Sequence, residues 1–306
     1  MAGVPELPDI TVYLHGLESR ILHRPLESAR IISPFFLRTT NPSLNSVVGM
    51  EVTGLRRLGK RIVFELGDDT FLVFHLMIAG RFRWSEKTGA KPPGKIGLAA
   101  FDFPSGTLLV TEASSRKRAS LHAAGGEAEL AAHNPGGMEL LECRLSDFRR
   151  ILALHNHSLK RFLTDPRLVS GVGNAYSDEI LHSARLSPFQ MSPKLTPGES
   201  RRLFDSCRSV LRSWIDRLLK EFADKFPGPG DVTAFRPEFA VHGQYGKQCP
   251  ECGTTVQRVR YASNEMNYCP RCQAGGKIYA DRSLSKLLKD DWPRTIEELE
   301  ELKTGR

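Results

Sequence analysis

Apolar residues Ile10, Leu14, Leu17 and Ile21 recur at i, i+4, i+7 and i+11, one stripe of a helix over residues 9–22. From about 29 to 121 the period shortens. Short runs of β-forming residues at 31–32, 62–66, 70–75, 98–103 and 107–111 are separated by turn formers such as Gly67-Asp68-Asp69 and Pro104-Ser105-Gly106. This pattern predicts a two-layer β-sandwich flanked by one helix. Past the Gly/Pro-rich stretch 123–137 the helical period returns at 146–155, 159–163, 174–184 and 197–222, with Thr196 placed to cap the last. Lys225-Phe226-Pro227-Gly228-Pro229-Gly230 reads as a linker. Thr295-Ile296-Glu297-Glu298, after Pro293, has capping-box form and predicts a short charged helix near the end. No internal repeat is visible, and the fold class is α+β multidomain.

Four of the six cysteines stand in two tight pairs, Cys249-x-x-Cys252 and Cys269-x-x-Cys272, with sixteen residues between the pairs. Two such knuckles can bring four thiolates to the corners of a tetrahedron, which is how one structural Zn2+ is held. Between them, residues 254–261 alternate apolar and polar side chains as a strand does, and a turn at Ala262-Ser263-Asn264-Glu265 would complete a β-hairpin finger. So small an element buries too little apolar surface to fold without its metal. Cys143 and Cys207 have no evident partner, which suits a reducing, cytoplasmic compartment.

At 306 residues, with 40% hydrophobic and 25% charged side chains, the chain has room for two cored domains and the finger. It has no run of eighteen apolar residues and no signal-peptide pattern at its start, so no membrane partner is expected. A formal charge of +8 and a pI near 9.3 admit a phosphate-backbone partner without selecting one. A zinc-ribbon transcription or RNA-binding factor would explain the cysteines and nothing else. His155-Asn156-His157 spells a nuclease motif, but no supporting ligands surround it.

Three further segments carry chemistry. Pro5-Glu6-Leu7-Pro8-Asp9 opens the first helix, and Lys60 lies in Arg56-Arg57-Leu58-Gly59-Lys60-Arg61. Ser170-Gly171-Val172-Gly173-Asn174 leads into Ala175-Tyr176-Ser177-Asp178-Glu179, after Leu159-Lys160-Arg161-Phe162-Leu163-Thr164-Asp165. Its glycines let another backbone come close, and Asn174 can cap the next helix, whose free N–H groups would meet a phosphate. With the finger, these segments resemble the formamidopyrimidine-DNA glycosylase/endonuclease VIII family of base-excision repair, over residues 5 to about 273.

The resemblance implies a bifunctional DNA glycosylase/AP lyase of bacterial, cytoplasmic type, a monomer whose partner is damaged DNA. It implies one structural zinc and no organic cofactor. Residues 1–125 would form a catalytic β-sandwich domain, 138–225 a helix-two-turns-helix domain and 236–274 the four-cysteine zinc finger, followed by a charged extension, 275–306. In the family the proline is the mature N-terminus and its nitrogen the nucleophile. Pro5 would take that role, with Glu6 as acid, Asp9 in place of a second glutamate, and Lys60 at the lesion and phosphate. DNA contacts are implied for Ile78, Arg116, Arg118, Lys160, Gly173, Asn174, Arg258 and Asn264, and metal ligation for Cys249, Cys252, Cys269 and Cys272.

The pattern departs from the family at several points. Ile78 stands for a methionine wedge, Arg118 for an aromatic one, and Asn264 for the finger-tip arginine. The segment near 226–230 is unlike that of the formamidopyrimidine type. An 8-oxoguanine preference therefore does not follow. Met1-Ala2-Gly3-Val4 precede the proline. A GTG start at Val4 would give Met-Pro-Glu, and loss of that methionine would free Pro5. With residues 1–4 retained, Pro5 is an amide and the chain becomes a non-catalytic binder of damaged DNA. Leu284, Leu287, Leu288 and Trp292 in the extension would dock on the chain itself or on a partner protein.

Overall fold

The computed structural model describes residues 3–261, 264–280 and 292–304. The chain forms two compact units, Met1–Gly137 with Arg212–Thr233, and Met138–Leu211 with Ala234–Arg306.

In the first unit, helix α1 (Leu7–Ile21) precedes eight strands. Strands β1 (Ser28–Ile31), β6 (Gly97–Phe103), β7 (Gly106–Glu112) and β5 (Gly80–Ser85) form one antiparallel sheet in that order. The second sheet runs β2 (Val52–Leu58), β3 (Arg61–Leu66), β4 (Thr70–His75) and β8 (Ser120–Gly125), also antiparallel. Alternation sends Ile62, Phe64 and Leu66 of β3 into the core with Phe74, Phe82, Phe101 and Val110. The rings of Phe74 and Phe101 meet edge-on at 5.3 Å. The expected sandwich and flanking helix are present.

Three strands lie outside the predicted runs. In β2 the adjacent Arg56 and Arg57 interrupt the alternation, in β5 the alternating stretch Arg81-Phe82-Arg83-Trp84 is only four residues long, and β8 lies mostly past the end of the predicted region. On α1 the buried stripe is Ile10, Tyr13, Leu17 and Ile21, with Leu14 only partly covered. The opposite side of α1 places Val12 against Leu218 and Phe222 from the end of helix α6 (Pro197–Glu221). The Gly/Pro-rich stretch contains a short helix, α2 (Gly126–Ala131). Its Leu130 covers Val63, Phe71, Val73 and Ala124 on the outer face of the second sheet.

The second unit contains α3 (Leu145–Leu154), α4 (Leu159–Thr164), α5 (Asn174–Ser183) and the first part of α6. Thr196 and Glu199 exchange hydrogen bonds as a capping box at the head of α6. The finger pairs β9 (Gln257–Tyr261) with β10 (Asn264–Tyr268) and ends in α7 (Pro270–Ala274). Residues 262 and 263 of its expected turn lie outside the described residues, as do Leu284, Leu287 and Leu288. The final helix, α8 (Ile296–Thr304), is tied back to the chain's own finger end: Ile278 donates to Arg294 O at 2.8 Å and Ile296 to Gly276 O at 3.1 Å.

One buried carboxylate joins helices to finger within this unit. Asp178 accepts from Lys160 Nζ at 2.5 Å, His242 Nδ1 at 2.7 Å and the Asn267 amide at 3.0 Å. Burial alone would raise the Asp178 carboxyl, but the Lys160 ammonium and the His242 ring outweigh it and hold it below the ordinary value. Asp178→Ala would leave Lys160 buried without its counter-charge. The expected cost is about 3–5 kcal/mol, read as a lower unfolding midpoint in denaturant, and an unchanged midpoint would contradict this role.

Candidate active site

The site builds on the entry to α1. Pro5 is buried, and Glu6 and Asp9 are each 3% exposed. The two acids form a reciprocal capping box in which the Glu6 amide donates to Asp9 Oδ2 at 3.0 Å. Pro8 sits in the first turn, where its missing N–H costs nothing. Two carboxylates at a helix N-terminus are favoured by the helix dipole.

Arg81 of β5 supplies a buried cation in this region, and sequence reasoning missed it. Its guanidinium donates to Gly80 O at 2.6 Å, Val232 O at 2.8 Å, Gly3 O at 3.1 Å and Ile78 O at 3.2 Å. Burial lowers its proton affinity, while Tyr13 and Asp9 act the other way. One side chain thus ties together the segment before Pro5, the turn bearing Ile78, and the loop near 232. Nothing in the sequence separates it from Arg83, two residues further along the same strand.

Lys60 sits half-buried in the β2–β3 turn beside Gly59, whose φ of 61° suits glycine. Ile78 is 45% exposed on the turn between β4 and β5. The Gly80 amide closes that turn on Leu76 O at 2.9 Å, and a Cβ at Gly80 would lie 2.2 Å from the same oxygen. Arg116 is exposed and Arg118 lies beside it on the loop before β8. Buried Glu112, a second residue missed from sequence, anchors that loop by accepting the amides of Arg118 at 2.9 Å and Ala119 at 3.0 Å.

In the second unit two expectations need correction. Lys160 is only 7% exposed and is spent on Asp178 and the Asn174 carbonyl (2.7 Å), so its ammonium is not displayed for a phosphate. The N-cap of α5 is Gly173, and Asn174 begins the helix. The Asn174 amide does not cap; it donates to Glu265 O of the finger at 2.6 Å. Gly173 still leads into α5 in extended conformation, after Gly171 at φ 75°. On β9, Arg258 stacks 4.3 Å from the Tyr245 ring centroid, and both Arg258 and Arg260 approach Glu265, at 3.7 and 3.1 Å. The side chain of Asn264 is outside the described residues. The His155 and His157 rings stack 6.0 Å apart, and no metal-ligand cluster includes them among the described residues.

The four finger cysteines meet the requirements of one zinc. Their sulfurs all lie within 4.8 Å of one another, with Cys252–Cys269 at 3.4 Å and Cys249–Cys272 at 3.9 Å. A tetrahedral site with zinc–sulfur bonds of about 2.3 Å sets sulfurs about 3.8 Å apart. His182 Nε2 lies 3.2 Å from Cys249 Sγ, where a ring N–H would orient the thiolate.

Three family models match the chain. They are the formamidopyrimidine-DNA glycosylase N-terminal domain (residues 4–119), the formamidopyrimidine-DNA glycosylase H2TH domain (140–221) and the zinc finger found in FPG and IleRS (246–275). The formamidopyrimidine-DNA glycosylase of Heliobacterium modesticaldum is 31% identical over 276 residues, covering 88% of this chain and 100% of that protein. A formamidopyrimidine-DNA glycosylase-like protein of Mycobacterium tuberculosis is 39% identical over 153 residues, 50% of this chain and 94% of its own length. Lactococcus lactis Fpg, solved in complex with DNA containing an abasic site, is similar with a TM-score of 0.78 at 27% identity, covering 88% of this chain and 99% of that one. MutM in complex with DNA containing carbocyclic 8-oxo-G gives a TM-score of 0.77 at 27% identity, covering 88% and 100%.

Two outcomes follow for the isolated protein. Elemental analysis should find about one zinc per chain, and removing it with a strong chelator should unfold the finger, because metal binding supplies about 10–16 kcal/mol in such elements. Burial, reinforced by Arg61, Lys60 and His122, lowers the His75 ring to about 4. The unfolded ring takes its proton near 6.5, so this contribution is complete above 6.5 and is lost as the pH falls towards 4. For this one group the slope is up to about 1.4 kcal/mol per pH unit. His75→Asn should flatten the pH dependence of the melting temperature in that window.

Proposed function

This chain belongs to the formamidopyrimidine-DNA glycosylase family, and on that footing we propose that it is a bifunctional DNA glycosylase and abasic-site lyase acting on damaged DNA. The observation that carries the reading is the Pro5–Glu6 pair buried at the head of α1, with Asp9 holding the Glu6 amide. We assign the chemistry to residues 1–125, DNA binding to 138–225 and the finger to 236–274, with 275–306 as an extension. The bacterial relatives and the six free cysteines support a cytoplasmic setting on the nucleoid, where a single chain meets its DNA.

The nucleophile is the secondary amine of Pro5, once it heads the chain. A terminal amine titrates near 8, well below lysine, so an unprotonated fraction exists at neutral pH. Its lone pair forms a bond to C1′ of the damaged nucleotide as the glycosidic bond breaks, and the base leaves with a proton. Glu6 protonates the sugar ring oxygen, the ring opens, and an iminium ion remains. That electron sink acidifies the C2′ proton. Its removal expels the 3′ phosphate, and hydrolysis of the iminium returns the amine. Because the target base must leave the stack, Ile78, Arg116 and Arg118 serve as the inserted residues. Lys60, the Gly173–Asn174 helix start, Arg258 and Asn264 serve the phosphates, and Lys160 acts indirectly by fixing Asn174. We assign the substrate class as damaged or abasic nucleotides in DNA.

Borohydride reduction in the presence of abasic-site DNA should fix the native protein covalently to the strand, and N-terminal sequencing of that protein should begin at Pro5. Glu6→Gln should lower base excision by about 10²-fold or more while the dissociation constant for abasic-analogue DNA is retained. Absence of trapping, with Ala2 or Val4 at the terminus, would make the chain a reader of damage without catalysis.

A further inference from the structure

The outer face of the second sheet has two halves. Towards β8's end, Val63, Phe71, Val73 and Ala124 are roofed by Leu130 of α2. Towards the Gly59–Lys60 turn, the same face becomes basic. His122 pairs with Val73, and the rung after Ile62–Phe74 sets Arg61 opposite His75. His133, just past α2, brings its ring centroid to 4.6 Å from that of His122. The next residues pass over the hairpin tip, where a Cβ on Gly59 would lie 3.7 Å from Pro135 Cδ. Arg61, His75, His122 and His133 are all half-buried.

Arg61 differs from the paired sheet arginines Arg56, Arg30 and Arg81. Arg56 pairs with Glu65 and Glu127, Arg30 pairs with Asp102, and Arg81 fills its donors with carbonyls. Among the described residues, the Arg61 guanidinium has no carboxylate partner and no hydrogen-bond acceptor, and burial lowers its proton affinity. The charged groups facing the three rings are Lys60, Arg61 and Arg38, with Glu129 the single acid, beside His133. Burial and these cations lower both His75 and His122 to about 4, so the rings are neutral at pH 7. A half-buried guanidinium without an anion carries a desolvation cost that an incoming phosphate would offset by paired N–H···O bonds.

We propose that Arg61, His122 and His133 form a phosphate-binding subsite on this outer face, beyond the Lys60 turn, that takes a backbone phosphodiester of the bound DNA or a free phosphate ion. An arriving dianion or diester would also favour the protonated rings, so occupation takes up protons. The subsite rests on the reading that the chain binds DNA, and not on the amine chemistry at Pro5.

The test uses the full zinc-loaded chain and a duplex carrying a tetrahydrofuran abasic analogue. Arg61→Gln should reduce the slope of log K against log salt by about one phosphate's worth, while the free protein melts at the same temperature or higher. The affinity gain of the wild type on going from pH 8 to pH 6 should shrink in a His122→Asn/His133→Asn variant. Millimolar inorganic phosphate should raise the melting temperature of the wild type more than that of Arg61→Gln. If that happens while the DNA slope is unchanged, free phosphate is the occupant. An unchanged slope together with no phosphate-dependent shift overturns the subsite. So does a loss of DNA affinity matched by a lower melting temperature, which would make Arg61 a folding residue. Failure of borohydride trapping with the DNA slopes as expected would remove the lyase and leave the subsite standing.

Discussion

The finger cannot stand on its own core. Its buried cluster is Val241, Cys249, Val256 and Cys269, which is little more than the metal knot itself. What fixes it within its unit is the charge on Asp178, sealed from water and satisfied from three directions. A carboxylate in that position is costly unless each lone pair is used, so the geometry of its partners is tightly specified. Asn174, Asp178 and His182 recur every four residues along α5, placing a donor to β10, an acceptor for β10 and a partner for Cys249 on one face. Glu179 adds a further clasp by accepting the amides of Ala240, Val241 and His242. The motif that reads as a phosphate loop is therefore also the mount for the zinc module.

The legibility of the chain follows the range of its interactions. Elements governed by neighbours in sequence were readable: the stripe of α1, the capping box at Thr196 and Glu199, and the two cysteine knuckles. β2 was not, because adjacent Arg56 and Arg57 break the alternation that marks a half-buried strand, and β5 was not, because its alternation, Arg81-Phe82-Arg83-Trp84, spans only four residues and puts a buried arginine where an apolar residue is expected. Asp178 and Lys160 could be seen as part of a motif, but nothing local distinguishes a displayed lysine from one turned inward to a carboxylate eighteen residues away. The same holds for Glu112 and Arg81, whose partners are backbone groups brought close only by folding.

The region around Pro5 in the first unit is arranged by backbone more than by side chains. Arg81 collects carbonyl oxygens from the Ile78 turn and the loop near 232, and Asp9 takes the Glu6 amide, so the groups around Pro5 are fixed by main-chain geometry. Such a frame suits chemistry in which a small nucleophile must be held still while charge moves around it.

Gly16 shows how far that frame extends. A methyl group there would come within 2.9 Å of the Phe226 ring, which packs on Tyr13 at 5.8 Å and under the Arg20 guanidinium. Phe226 begins the stretch that ends at Val232, whose oxygen is one of the Arg81 acceptors. A single added carbon on α1 would therefore press on this ring, at the start of the segment that carries the Val232 acceptor. The missing side chain at Gly16 is what lets the segment that begins at Phe226 lie directly against the helix.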